Sequence, residues 1–175
     1  MKDANTISLE AAQDQPVDFE FHLTFPLEAL DREPLVEISP VHFAGQVSAI
    51  ESGFALQGDL GWGGRLECSR CLVAYPFRSD EEFSLVLYPR QPAGRDEREL
   101  EREELDVYFF EEPEVAVEPI VEERIQMAVP MKPLCSEDCK GLCVQCGQDL
   151  NAATCPCNEK TIDPRWEALQ KLKKV

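Results

Sequence analysis

Hydrophobic and polar residues alternate over much of the first half of the chain, and a period of two is typical of β-strands with one buried face. The alternation covers residues 41–49, 54–66 and 77–87, and turn-like residues 51–53 separate the first two runs. A shorter run at residues 19–25 predicts one more strand. Glycines at positions 58, 61, 63 and 64 predict bulges or a strong bend in the second long strand. The pattern therefore predicts an antiparallel meander.

The hydrophobic spacing changes to that of a helix at Pro119, which suits the first position of a helix. The residues at helical spacing are Ile120, Val121, Arg124, Ile125 and Ala128, and the pattern runs to about Val129. Prolines at positions 130 and 133 end it. Strand-like segments at 105–110 and 114–117 precede this helix. The charged stretch 96–104 before them predicts a solvated loop or an exposed helix.

The C-terminus predicts a second, short helix. Asp163 is a favourable N-cap, and Pro164 follows at the first helical position. Trp166, Leu169 and Leu172 mark one apolar face, which would either pack on the rest of the protein or bind a partner.

These elements together predict an α+β fold. We expect an antiparallel sheet or partly closed barrel, one packed helix and a cysteine-rich zinc-binding tail that ends in the short helix. The predicted organisation is an N-terminal segment with short strand(s) at 1–40, a β-rich body with an acidic loop and helix at 41–134, and a cysteine-rich module with the terminal helix at 135–175.

The formal net charge of -17 lies wholly in residues 1–134, because residues 135–175 hold six basic and six acidic side chains. This acidity either keeps the protein soluble or attracts basic partners, and it argues against broad contact between the body and RNA phosphates. The sequence has no basic and apolar leader, and no stretch near the roughly 18 apolar residues of a membrane span. We therefore expect a cytoplasmic protein without membrane contact.

The cysteines carry the clearest chemical signal. Six of the eight follow the spacing C-x3-C-x3-C-x2-C-x8-C-x-C, and a further C-x2-C lies far upstream. Zinc binds four thiolates in a tetrahedron, and C-x2-C lets two sulfurs reach one ion across a tight turn. A disulfide framework would require an oxidising compartment, which nothing else in the sequence indicates. We predict that one or two Zn²⁺ ions are bound by Cys143, Cys146, Cys155, Cys157, Cys135, Cys139, Cys68 and Cys71.

The spacing does not fix how these cysteines are grouped. In the preferred grouping, Cys143 and Cys146 join Cys155 and Cys157. The other four cysteines then form a second site that ties the tail to the predicted hairpin. A single site with several spare thiols is the alternative. The upstream C-x2-C by itself is also compatible with thiol chemistry or with inert turn cysteines.

No arrangement typical of an enzyme is visible. The sequence lacks a nucleophile elbow, a phosphate-binding loop and the zinc-deaminase signature. His22 and His42 lie in strand-like stretches and are interpreted as sheet residues, not as a base or as ligands. Four-cysteine zinc sites leave no open coordination position for catalysis. We predict no enzymatic activity and no small-molecule substrate; a nuclease or RNA-modifying enzyme is the least favoured class.

The cysteine-rich tail resembles the C-terminal signature of the YceD family, the large ribosomal RNA subunit accumulation proteins. The matching segments are Pro130–Cys135, Cys139–Cys143, Cys146–Gly147, Leu150–Asn151, Cys155–Cys157 and Ile162–Arg165, and Leu66–Leu72 resembles the family's hairpin motif. The resemblance implies a role in the accumulation, processing or stability of 23S rRNA. It implies no catalytic residue, and it implies a metal-ligand role for the cysteines.

Two function hypotheses follow. The first is a non-enzymatic ribosome biogenesis factor whose partners are a large-subunit precursor, through rRNA, a basic ribosomal protein, or both. The second is a redox-responsive zinc-binding chaperone or adaptor, because cysteine pairs on one zinc ion can oxidise, release the metal and unfold the tail.

Overall fold

The computed structural model describes residues 5–30, 33–51, 53–90 and 107–157. Eight strands and two helices lie in these ranges. In chain order they are β1 (Thr6–Ser8), β2 (Val17–Leu23), α1 (Leu27–Leu30), β3 (Leu35–Ile38), β4 (Val41–Ile50), β5 (Gly53–Glu67), β6 (Ala74–Pro89), β7 (Val107–Phe110), β8 (Glu114–Ala116) and α2 (Glu118–Ala128). The prediction of a mixed α+β fold built mostly on an antiparallel sheet is confirmed.

One six-stranded sheet forms the body, in the order β2-β4-β5-β6-β7. The long hairpin of β5 and β6 is its centre, and β3 pairs with the part of β5 beyond β4. The first 40 residues therefore supply two strands to this sheet, β2 and β3. A separate two-stranded sheet joins β1 to β8. Among the described strands no pairing links β2 to β7, so the sheet is open at these two edges.

The predicted alternation of apolar and polar residues explains how the strands form a core. Inward residues of β4, β5 and β6 are buried, and the intervening polar residues face solvent. Phe43 is fully buried and its ring stacks on Phe83, with centroids 5.2 Å apart. The helix α2 packs on the same core through Ile120, Val121 and Ile125, which lie on one face as predicted.

Two details of the sheet differ from the sequence-based prediction. The ladders of β5 with β4 and β6 have no register shift, so a bulge, one of the two features predicted there, is absent from them. The ladder of β5 with β3 does have an irregularity, between Leu35 and Glu37. Two of the glycines of β5 allow close strand approach instead: a Cβ on Gly58 or Gly64 would lie within 2.3 Å of a carbonyl oxygen of the facing strand. In addition, β7 runs parallel to β6, which a simple meander does not anticipate.

The predicted terminal helix at 163–172 and the charged stretch 96–104 lie outside the described residues. No helix within the described ranges is both long enough and apolar enough to cross a bilayer.

Candidate metal centres

The tip of the β5–β6 hairpin presents the first two cysteines. Cys68 follows β5 directly and is fully buried, and Cys71 lies within the turn and is also buried. The turn closes through two backbone hydrogen bonds, from the Leu72 N–H to the Cys68 carbonyl (2.9 Å) and from the Cys68 N–H to the Val73 carbonyl (3.1 Å). Leu72 adopts the left-handed conformation, with φ 61°. This tight turn directs the sulfurs of Cys68 and Cys71 to the same side of the hairpin tip.

The tail brings two more cysteines to the hairpin tip and completes a four-cysteine cluster, which we call centre 1 (Cys68, Cys71, Cys135 and Cys139). Its four sulfurs lie within 4.8 Å of one another. The sulfurs of Cys68 and Cys139 are 3.8 Å apart, and those of Cys71 and Cys135 are 3.6 Å apart. Three of these cysteines are buried and only Cys135 is exposed. Centre 1 therefore lies inside the junction between body and tail.

Arg70 holds this junction together from the hairpin side. Its guanidinium donates from Nη1 to the carbonyl oxygens of Glu137 (2.9 Å) and Cys139 (2.7 Å). Its own carbonyl accepts a hydrogen bond from the Leu142 N–H (3.1 Å). Gly141 packs against that carbonyl with φ +74°, and a Cβ there would lie 2.9 Å from the Arg70 oxygen. A glycine is thus required where the tail crosses the hairpin tip.

Replacing Arg70 with alanine should weaken the junction, because two tail carbonyls lose a charged donor. We expect a loss of about 2 kcal/mol in the free energy of unfolding, and a smaller loss for Arg70→Lys, since one ammonium group cannot reproduce the guanidinium geometry. Urea unfolding of the wild type, Arg70→Ala and Arg70→Lys measures the differences in the free energy of unfolding. Arg78→Ala is the matched control: Arg78 bonds only the exposed Asp80 carboxylate in the described structure, so we expect a loss below about 1 kcal/mol. Equal losses for Arg70→Ala and Arg78→Ala would contradict the role of Arg70.

The remaining four cysteines form centre 2 (Cys143, Cys146, Cys155 and Cys157), whose sulfurs also lie within 4.8 Å of one another. The Cys155 sulfur is 3.3 Å from that of Cys143 and 3.5 Å from that of Cys146. In contrast to centre 1, Cys146 is exposed and the other three are only half-buried. Val144, between the first two cysteines, is fully exposed. Centre 2 therefore organises an outlying loop of the tail.

The two C-x2-C turns have the same backbone geometry. In each, the N–H of the residue after the second cysteine donates to the carbonyl of the first: Leu72 to Cys68 and Gly147 to Cys143, both at 2.9 Å. That residue has a positive φ in both turns, 61° at Leu72 and 74° at Gly147. The hairpin pair therefore forms a knuckle of the same kind as the tail pair, although a leucine occupies the position usually given to glycine.

Backbone amides surround the first sulfur of each knuckle. The N–H groups of Cys146 and Gln145 donate to the Cys143 sulfur and lower the pKa of that thiol to about 6. At Cys68, burial raises the pKa, but the N–H groups of Cys135, Arg70 and Cys71 outweigh this and bring the pKa to about 6. The neighbouring sulfurs of Cys139 and Cys71 raise the pKa of Cys135 to about 12. Each centre thus stabilises one thiolate through N–H donors.

The sulfur geometry fits a tetrahedral metal ion. Four sulfurs each about 2.3 Å from a central ion are separated by about 3.8 Å along the tetrahedron edges. The two pairs named for centre 1, at 3.6 and 3.8 Å, are close to this value, and the two named for centre 2, at 3.3 and 3.5 Å, are shorter. All sulfur pairs within each centre are at most 4.8 Å apart. A donor set of four thiolates suits zinc. Each cluster could therefore hold one ion.

The structure brings the eight predicted cysteines together in two sets of four, with the membership of the preferred grouping. Sequence reasoning did not assign roles to two further residues. Arg70 bonds the tail, and Asn151 donates from Nδ2 to the Cys139 sulfur (3.4 Å) and accepts the Lys140 N–H (2.8 Å). Both residues lie within the segments on which the family resemblance rests, so the resemblance could have singled them out.

Comparison with known proteins gives a consistent result. A family model described as "Large ribosomal RNA subunit accumulation protein YceD" matches residues 56–173. The uncharacterized protein YlbN of Bacillus subtilis is 30% identical over 165 residues, which are 89% of this chain and 88% of YlbN. The uncharacterized protein Rv2926c of Mycobacterium tuberculosis is 28% identical over 143 residues, and the matched region spans 64% of its length. No solved structure matches the chain.

Proposed function

This chain belongs to the YceD family of large ribosomal RNA subunit accumulation proteins, and from that membership we propose that it is a ribosome biogenesis factor. It supports the synthesis, processing or stability of 23S rRNA in the large subunit, acts in the cytoplasm and is not an enzyme. The observation that carries the proposal is the family match over residues 56–173, because this range includes both cysteine centres.

We propose that both centres bind Zn²⁺ as structural sites. Zinc would supply the folding free energy that a short tail with few large apolar residues cannot obtain from a core. In centre 1 the ion would join the hairpin to the tail, and in centre 2 it would fix the outlying loop. Four thiolates per ion leave no position for substrate or activated water, which supports a non-enzymatic role.

The charge of the body supports a basic partner. Residues 1–134 carry the whole net charge of -17. On the outer face of the sheet, strand register places Glu20, Asp59 and Glu82 in one exposed row across β2, β5 and β6. Such a surface attracts cations and repels phosphates. We therefore propose that the body binds a basic ribosomal protein of a large-subunit precursor, and that any rRNA contact is made by the neutral tail.

The proposal is tested in cells that lack this gene. We expect a lower ratio of 23S to 16S rRNA and co-sedimentation of the tagged protein with large-subunit precursors in sucrose gradients. Wild-type protein should restore the ratio, and a Cys68→Ser/Cys71→Ser variant should not. Immunoblots of variant abundance separate lost function from lost protein. Unchanged 23S rRNA, together with no co-sedimentation, would overturn the proposal.

A redox role is the second candidate, and the exposure of centre 2 favours it. The sulfurs of Cys143 and Cys155 are 3.3 Å apart and reachable from solvent, so peroxide could join them in a disulfide as it is reduced to water, with release of the metal. Assays of zinc and client binding before and after peroxide test this candidate. Unchanged zinc content and unchanged client binding would exclude it.

A further inference from the structure

Three potential metal ligands share the solvent-facing side of β2 and β4, on the sheet of the body. His22 lies directly opposite His42 in the antiparallel register, with ring centroids 5.1 Å apart. Glu20 lies two residues before His22 on the same face of β2, and its cross-strand partner is the small Ala44. The diagonal from His42 to Glu20 is therefore free of a bulky side chain.

Both imidazoles approach one oxygen of the same carboxylate. The Glu20 Oε1 atom is 3.1 Å from His42 Nε2 and 3.8 Å from His22 Nε2. The three candidate donor atoms all lie within 4.8 Å of one another. Two ligands each about 2.1 Å from a tetrahedral ion are about 3.4 Å apart, so the two measured distances lie on either side of the ideal value. A simple hydrogen bond would need only one imidazole beside Glu20.

We propose that Glu20, His22 and His42 form a surface binding site for a divalent transition-metal ion such as Zn²⁺, separate from the cysteine centres. Each imidazole would bind through Nε2 in its neutral form, with its proton on Nδ1. Two nitrogens and a carboxylate are a common donor set for such ions, and three protein ligands leave a position open for water or for a donor from a partner.

The surroundings favour entry of a cation. The side chains of Glu20, His22 and His42 are 65%, 71% and 45% exposed, so an ion reaches them directly from solvent. On β5, the residue opposite His42 is Gly61, which places no side chain over the imidazole. Asp59, opposite Ala44, adds negative charge next to the site, which raises the local concentration of cations.

The chain contains two histidines, and both belong to this site. Their imidazole C2-proton NMR signals therefore report on it without interference from the cysteine centres. The experiment titrates zinc chloride into the full chain after the thiols have been saturated with zinc. We expect both signals to shift together along one saturating curve. Glu20→Gln should weaken binding roughly tenfold or more, since loss of a ligand costs at least as much as loss of a supporting residue.

The matched control is Asp18→Asn. Asp18 lies on the same face of β2, accepts a hydrogen bond from Gln46 Nε2 (2.8 Å) and is not part of the cluster, so the variant removes the same charge without removing a ligand. We expect its zinc affinity to stay within about twofold of wild type. The proposal is overturned if the two histidines shift independently or not at all, or if Glu20→Gln and Asp18→Asn weaken binding equally.

Discussion

Cys139→Ser should remove one zinc ion per chain and release the tail from the body. Cys139 is buried in centre 1, and its sulfur lies 3.8 Å from that of Cys68. Structural zinc in small domains contributes about 10–16 kcal/mol of apparent binding free energy, so loss of one ligand should abolish metal-dependent order around it. We expect elemental mass spectrometry to show the zinc held by the two cysteine centres falling from two ions to one. Hydrogen exchange should become fast at Leu142, whose N–H bonds the Arg70 carbonyl.

The matched control is Cys146→Ser in the exposed centre 2. This variant should also lose one zinc ion, but the Leu142 N–H should stay protected, because centre 1 and the bonds from Arg70 remain intact. The thermal midpoint of the body should fall less than in Cys139→Ser. Two retained zinc ions in Cys139→Ser, or equal exchange at Leu142 in both variants, would refute the role given to centre 1.

Phe43→Ala should cost about 3–5 kcal/mol of folding free energy, because it leaves a ring-sized cavity in a core that cannot fully collapse. Phe43 is fully buried at the centre of the sheet. Its ring contacts Phe83 at 5.2 Å and Phe19 at 5.0 Å between centroids, so the side chain joins β4 to β6 and β2. Urea unfolding followed by tryptophan fluorescence measures the loss, since Trp62 is buried in the same core.

Phe109→Ala is the control for this substitution, because Phe109 on β7 is 57% exposed and fills no core position. We expect a change within about 0.5 kcal/mol for it. Both variants should retain their full zinc content if the native state is populated, since neither residue contacts a cysteine centre. A loss below about 1 kcal/mol in Phe43→Ala would contradict the core described above.

The two cysteine centres have different structural roles. Centre 1 is buried between the hairpin tip and the tail, so metal there would determine how the two parts are joined. Centre 2 is largely open to solvent, so metal there would shape a loop whose tip, Val144, is fully exposed. This difference is why equivalent substitutions in the two centres should have unequal effects on the body.

Much of the body could be predicted from the sequence, because the residue patterns that specify its strands and helix are local. Alternating residues from Val41 to Leu87 identified β4, β5 and β6, since a strand buries every second side chain whatever it pairs with. Pro119 and the apolar spacing after it identified α2 to within one residue at each end. The C-x2-C spacing identified both knuckles as candidate ligand pairs, because two sulfurs across a tight turn are fixed by a few backbone angles.

Only the tertiary structure decided what meets across long sequence distances. Nothing local indicates that β7 pairs parallel with β6 or that Arg70 reaches the carbonyl of Cys139, 69 residues away. The juxtaposition of His22, His42 and Glu20 depends on strand register, and a one-residue slip would turn these side chains to the opposite face. The sequence alone thus determined β4, β5, β6, the helix α2 and the ligand types. The packing of distant segments decided which ligands share a centre, because those contacts depend on the pairing and burial of the whole sheet.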